Sequence, residues 1–291
     1  MPLPFAFLSV ILIWSTTPLA IKWSAQGAGF SFAVLSRMAL GTMLCLILLA
    51  LLRIRLPLHR RALRSYMASG TSMAGTMVLA YWSAQFVSSG MISLLFGLTP
   101  LITSLGAMLW LEEESLTLNK LAGMVLGLTG LLLVFRGALA VDAGWGLVAL
   151  LTAVVIQALG LVWIKKIGDD SPPLATTLGS LVVALPLFFA AWCLFDGTLP
   201  AAIPLRALSA ILYLGSVGSV LGFLLYYFLI KHMETGRIAL INLITPVLSL
   251  LLGHTLNQEV ILPQVWFGAI CILLGLAVHR WGAQFFVRHN I

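Results

Sequence analysis

Tyr81-Trp82-Ser83-Ala84, laid over Tyr227-Phe228-Leu229-Ile230, opens a long internal register: Gly90 falls on Gly236 and Thr99-Pro100 on Thr245-Pro246, all 146 residues apart. After one gap the offset becomes 145, and Glu114 falls on Glu259, Gly123 on Gly268 and Gly130 on Gly275. The chain therefore reads as two copies of one unit, residues 1–138 and 139–291. Each copy holds five apolar spans. Because five is odd, the second copy is expected to sit upside down in a bilayer relative to the first. Inverted repeats of this kind are how many secondary carriers place a binding site near the midplane, reachable from either face.

Composition sets the class independently. Of 291 residues, 61% are hydrophobic and 9% charged, and the mean hydropathy is +1.09, outside the range of soluble domains. Apolar spans fall at 2–23, 30–52, 66–87, 90–111, 116–135, 144–164, 172–195, 207–230, 238–258 and 261–281. Most reach the roughly 20 residues that a bilayer-crossing helix needs. The expected fold is an all-α membrane protein: ten transmembrane helices, as two inverted five-helix repeats around a central cavity. The first span lacks a basic leader and reads as a retained helix, not a signal peptide.

Loop charges orient the chain. On the N-terminal side lie twelve basic residues, Arg53, Arg55, Arg60, Arg61, Arg64, Lys120, Lys165, Lys166, Lys231, Arg237, Arg280 and Arg288. The other side has Lys22, Arg136 and Arg206. Excess positive charge marks the cytoplasmic side, so both termini are expected in the cytoplasm. The net charge of +7 then follows from topology and calls for no nucleic acid. Cys45, Cys193 and Cys271 all fall within apolar spans and read as small hydrophobes, not as a disulfide framework. There is no GxxxxGK[ST], HExxH or GxSxG motif, so neither ATP hydrolysis nor hydrolase chemistry is signalled, and no cofactor is expected.

The pattern Gly90 … Thr99-Pro100 … Glu114-x-Leu116-Thr117 … Gly123 … Gly130 resembles the signature of the drug/metabolite transporter superfamily, in particular its EamA-type exporters. The second copy, Gly236 … Thr245-Pro246 … Glu259 … Gly268 … Gly275, matches it with Pro263 in place of the threonine that follows the first glutamate. Ala20-Ile21-Lys22-Trp23 against Trp163-Ile164-Lys165-Lys166 adds a weaker match. The resemblance implies a cavity lined by spans one to four and six to nine, with spans five and ten as outer supports. Among bacterial branches it is most similar to exporters of aromatic and other amino acids.

All nine acidic residues, Glu112, Glu113, Glu114, Asp142, Asp169, Asp170, Asp196, Glu234 and Glu259, fall at or beyond span ends. A carrier with obligatory proton coupling commonly holds a carboxylate or histidine at depth, so such coupling is not expected. His254 stands close to a span end and reads as structural or interfacial. Arg37, about 12 Å into the second span at 1.5 Å per residue, either contacts a substrate anion or bonds helix-end carbonyls. Pro100 and Pro246 lie near the middle of their spans and free the carbonyls of Phe96 and Asn242. Such prolines act as hinges or ligand acceptors, or else are static kinks closed by Thr99 or Thr245.

Ser69, Met73, Met77, Tyr81 and Gln85 recur at four-residue spacing and form one helix stripe, either plain core or a cavity wall. Trp14, Ser15 and Thr17 in the first span, with Gln157, Gly160 and Trp163 in the sixth, add indoles and polar groups at depth. Trp163 fits an interfacial belt equally well. Tyr227, the register mate of Tyr81, and Asn242 complete the candidate substrate contacts.

These features read as a secondary transporter that exports small metabolites, amino acids with aromatic or bulky side chains foremost, across a bacterial inner membrane by alternating access. The alternative within that class is an exporter of lipophilic cations or drugs; outside it, an integral-membrane enzyme or receptor. Expected partners are an amino acid-like small molecule and the lipid bilayer. A monomer is expected, with dimerisation left open.

Overall fold

The computed structural model describes residues 2–111, 117–139, 143–233 and 235–287, and among these there are helices and connections but no strand. In the first half run α1 (Leu3–Ala28), α2 (Phe30–Leu51), α3 (Arg60–Ser83), α4 (Ser89–Phe96) continued by α5 (Thr99–Leu111), and α6 (Leu118–Leu139). In the second run α7 (Gly144–Ile167), α8 (Pro173–Phe195), α9 (Leu205–Tyr213) leading through a π-helical stretch (Leu214–Leu221) into α10 (Gly222–His232), then α11 (Thr235–Asn257) and α12 (Pro263–Val287). Each half thus holds five helical segments, counting α4 with α5 and α9 with α10 as one each.

Nine segments among the described residues are long and apolar enough to cross a membrane; α3 is not one of them. It has the length, 24 residues, but carries Ser65, Ser69, Thr71, Ser72 and Thr76. These small polar residues tie it to the second half. Ser72 Oγ donates to the Ile156 carbonyl (3.0 Å) and Thr76 Oγ1 to the Ala153 carbonyl (3.2 Å), both on α7. On α8, the Ser180 carbonyl oxygen would lie 2.6 Å from a methyl added at Gly70. In lipid, where burying apolar surface draws helices together only weakly, small residues and interhelical hydrogen bonds are what hold a helix in a bundle.

The register glycines meet at the opposite edge. A methyl at Gly123 would sit 2.6 Å from the Gly275 carbonyl oxygen, and one at Gly130 2.5 Å from that of Gly268. The residue numbers rise along α6 as they fall along α12, so the two helices are antiparallel. Since Gly123 is the mate of Gly268 and Gly130 of Gly275, exchanging the halves maps one contact onto the other. A two-fold interface has this self-complementarity.

The two mid-span prolines differ. Pro100 is the twelfth of the 23 residues from Ser89 to Leu111 and Pro246 the twelfth of the 23 from Thr235 to Asn257. The first breaks its span: the helix stops at Phe96, Leu98 N bonds back only to Leu95 O (2.9 Å), and α5 restarts at Thr99. By contrast, α11 runs through Pro246 as one helix. Gly97, at the break, faces the Pro246 ring, with 3.7 Å from a notional methyl to Cγ.

Candidate functional site

Arg37 is 6% exposed, inside the bundle. Its Nε donates to Ser219 Oγ and its Nη1 to Tyr81 Oη, each at 3.3 Å. Tyr81 itself is fully buried. Ser219 belongs to the π-helical stretch, whose closing bond runs from Gly222 N to Val217 O, five residues back. A π turn inside an α-helix leaves backbone groups outside the usual ladder and occurs frequently at functional sites. One turn away, Tyr213 Oη and Thr16 Oγ1 share a hydrogen bond of 2.6 Å, and Trp14 packs its ring against Tyr226 (centroids 4.7 Å). Three elements, α2, α3 and the π stretch, therefore converge on one guanidinium, with the Thr16–Tyr213 pair of α1 and α9 nearby. Among the described residues no carboxylate forms an ion pair with Arg37.

Of the other sequence candidates, Met73 and Met77 are half-buried against the core beside Tyr81. Gln157 is half-buried on the face of α7 shared with Ala153 and Gly160, which meets α3. Gln85 is not on the stripe: α3 ends at Ser83, and the exposed Gln85 amide turns back to the Trp82 carbonyl (3.2 Å). Trp163 is 66% exposed, on the outside of the bundle near the end of α7. Asn242 is half-buried on α11. The side chain of Tyr227 lies outside the described residues, as do Glu112, Glu113, Glu114, Asp142 and Glu234.

The hydroxyls beside the prolines behave differently from one another. Thr245 Oγ1 bonds the Ile241 carbonyl (2.9 Å), one residue short of the carbonyl that Pro246 frees. Thr99 Oγ1 is buried with no partner, so it does not close the Phe96 carbonyl. Of the cysteines, Cys45 is buried, while Cys193 faces outward.

Sequence reasoning treated Lys22 and Glu259 as span-end charges. In the structure they are partners across the two halves. Lys22 Nζ lies 3.7 Å from Glu259 Oε1 and donates to the Val87 carbonyl (2.6 Å). Glu259, 8% exposed, also accepts from Ser89 N (2.8 Å), Ser89 Oγ (2.9 Å) and Asn257 Nδ2 (2.9 Å). Asn257 Oδ1 accepts from Trp23 Nε1 (2.8 Å) and Arg206 Nη2 (3.3 Å), and the Arg206 guanidinium covers the Trp23 ring at 4.0 Å. His254 Nδ1 contacts the Glu259 carbonyl (3.0 Å). Nearby on the same face, Asp196 of the second half accepts from Ser31 Oγ (2.6 Å) and Phe32 N (3.2 Å), capping α2. The connection there turns at Gly29 with φ +81°, where a methyl would lie 2.8 Å from Asp196 Oδ2. The signal available in the sequence was the register itself, which repeats both the lysine and the glutamate.

The face opposite the N-terminus of α1 thus carries a charged network that joins the two halves. At the other end a concavity of about 540 Å³ lies between the N-terminus of α1, the end of α10 and the start of α11, lined by Leu3, Pro4, Phe7, His232, Met233 and Arg237.

A multi-pass helical bundle, doubled in sequence, with a polar network joining its halves at one end and a buried guanidinium inside, has the build of a membrane transporter. The chain belongs to the EamA-like transporter family, whose model matches residues 2–136 and again 144–280, once for each half. It is 23% identical over 278 residues to the uncharacterized transporter YoaV of Bacillus subtilis, covering 94% of this chain and 95% of that one. Over 190 residues it is 29% identical to a probable amino-acid metabolite efflux pump of Salmonella typhimurium, 62% of each chain. A probable terminal-alkyne amino-acid exporter of Streptantibioticus cattleyicolor is 23% identical over 278 residues, 94% of this chain and 91% of the relative. A crystal structure at 20% identity superposes with a TM-score of 0.65 over 96% of this chain and 98% of its own, a likeness of fold.

Proposed function

We propose that this transporter exports amino acids with aromatic or bulky side chains from the bacterial cytoplasm by alternating access, and that Arg37 holds the substrate carboxylate. The observation that carries the reading is the buried guanidinium with hydroxyl partners and no carboxylate. A buried charge is retained where it has a function and a partner, and a planar guanidinium suits a bidentate carboxylate. Trp14 and Tyr226 offer an aromatic wall to the side chain. The carbonyls freed by Pro100 and Pro246 offer acceptors for the ammonium. A lipophilic cation would instead meet a buried charge of its own sign.

The twelve-to-three division of loop Lys and Arg supports cytoplasmic termini. The face with the charged network is then periplasmic, and the concavity beside His232 and Arg237 opens inward. In this reading the two halves are inverted, and the Lys22–Glu259 network is the outer gate that parts when substrate leaves.

The test is counterflow of a labelled aromatic amino acid in proteoliposomes that contain only this protein. Amino acids should compete, and the corresponding amines, which lack the carboxylate, should not. Equal competition by acid and amine removes Arg37 from the site, and absence of any flux removes amino-acid transport. A periplasm-active reporter joined after Ile291 should be silent; activity there overturns the orientation.

A further inference from the structure

A second buried charge lies at the end of the bundle that carries the termini, away from Arg37. Asp169 follows Gly168, which ends α7 in the left-handed conformation (φ +60°). The Asp169 side chain is 2% exposed, and neither carboxylate oxygen has a hydrogen-bond partner. Ser171 Oγ, two residues on, is likewise buried and unpartnered.

Three sources of compensation are close, and each is spent. His59 Nε2 stands 3.7 Å from Asp169 Oδ1, beyond hydrogen-bond length. Its Nδ1 accepts the Ala62 amide (3.2 Å) as the cap of α3. The N-terminus of α8 begins with Pro172 and Pro173, which have no N–H to offer. Tyr66, whose hydroxyl approaches the Ser171 hydroxyl and lies in electrostatic range of Asp169, already donates its proton to the Pro57 carbonyl (2.9 Å). Its ring is pinned against Gly179, where a methyl would lie 2.5 Å from it. Among the described residues no lysine or arginine forms an ion pair with Asp169.

What remains is a buried carboxylate and, two residues on, a buried hydroxyl, with the Tyr66 hydroxyl facing them and no lysine or arginine paired to the carboxylate. A buried carboxylate in that condition is costly unless an ion completes it. We propose that Asp169 and Ser171 bind a small monovalent metal cation of the sodium class, with Tyr66 as a flanking oxygen. Oxygen donors suit a hard cation, and one carboxylate balances one positive charge. The site joins α3 of the first half, through Tyr66, to the connection between α7 and α8 in the second. A cation there bridges the halves at the end opposite Lys22–Glu259, so its occupancy depends on how the halves sit. The inference is independent of the substrate assigned to Arg37.

The experiment is thermal unfolding of the purified full chain in sodium, potassium or choline chloride at equal ionic strength, at two pH values, for wild type, Asp169→Asn and Ser171→Ala. Wild type should gain stability saturably with sodium over choline, as a ligand bound only by the folded state requires. Asp169→Asn should lose that dependence, and Ser171→Ala should raise the half-saturating concentration several-fold. Should Asp169→Asn fail to fold, uptake of radioactive sodium by wild type and its weakening in Ser171→Ala decide the matter. No sodium-specific gain in wild type, an undiminished gain in Asp169→Asn, or a dependence on pH but not sodium overturns the metal site; the last result would mean that a proton occupies it.

Discussion

Replacing Arg37 by glutamine separates a substrate contact from a structural one, because the two roles predict different changes in stability. The guanidinium is held by two long hydrogen bonds, 3.3 Å each, to Ser219 and Tyr81. Bonds from a charged donor contribute about 1.5–3 kcal/mol each, and at this length the lower end applies. Against them stands the cost of an arginine deep in a membrane helix, about 2.5–3.5 kcal/mol on insertion scales. The two nearly cancel, so Arg37→Gln should unfold at about the same temperature as wild type, where a structural arginine would lower it. Binding should weaken. Truncating one partner of a buried charge pair costs about 2–5 kcal/mol, or roughly 30- to 4,000-fold in Kd. Tyr81→Phe removes one neutral hydroxyl and should weaken binding only about 2- to 13-fold. The assay pairs equilibrium binding of a labelled aromatic amino acid with thermal unfolding on the same purified samples. A variant that loses stability and binding together would show that Arg37 supports the bundle and that substrate lies elsewhere.

Lys22→Met and Glu259→Gln should each speed labelling of a Ser219→Cys reporter by an impermeant thiol reagent added on the gate face, and the double variant should be no faster than Glu259→Gln alone. Additive rates would show that the pair does not act as one gate. Pro100→Ala should restore an N–H to the Phe96 carbonyl, close the α4–α5 break and slow turnover more than it weakens binding, whereas Pro246→Ala, in a helix already continuous, should change turnover less. Equal effects at both positions, read from initial transport rates, would remove the break from the cycle. Gly130→Ala and Gly268→Ala, each pushing a methyl within 2.7 Å of the partner's carbonyl oxygen, should each cost about 1–3 kcal/mol of stability by overpacking. Transport per folded molecule should be unchanged, and a loss of turnover without a loss of stability would place α6 and α12 among the moving parts.

Much of the architecture was legible because membrane helices announce themselves by length and because the glycines that let α6 and α12 touch recur at a fixed offset. What stayed hidden were departures from regular helix. Leu214 to Leu221 reads as an ordinary apolar span with Gly215 and Gly218 as packing residues, and Gly215 does pack so, against Leu40. The same residues adopt π turns where they pack against Thr17 of α1 and Leu40 of α2, a departure that a helical pattern does not encode. The fourth span differs in that Pro100 announced a disturbance, but not that the helix would stop three residues earlier, at Gly97. Its mate Pro246 is accommodated within a helix, so tertiary packing, not the proline alone, decides between a bend and a break.

The site was legible in proportion to how unusual each residue is at its depth. A solitary arginine eight residues into an apolar span admits few explanations, whereas a hydroxyl admits many: Thr17 and Thr42 spend theirs on the carbonyl four residues back, while Thr16 also reaches Tyr213. Partnership is harder still to read. Lys22 and Glu259 lie in different halves and read as solvated ends, yet they neutralise each other inside the protein. Arg37 reads as a charge deep in a span and Asp169 as one more span-end acid, and in the structure neither has a lysine, arginine or carboxylate of opposite sign paired with it among the described residues. Folding brought counter-charges to the first pair and left the second two without them, one cationic toward the bundle interior and one anionic beneath the face that bears the termini. A buried charge that a fold leaves uncompensated is costly, and a counter-ion from solution is one way to offset that cost. For a transporter, that makes Arg37 and Asp169 the two positions at which a travelling anion and a cation should be sought.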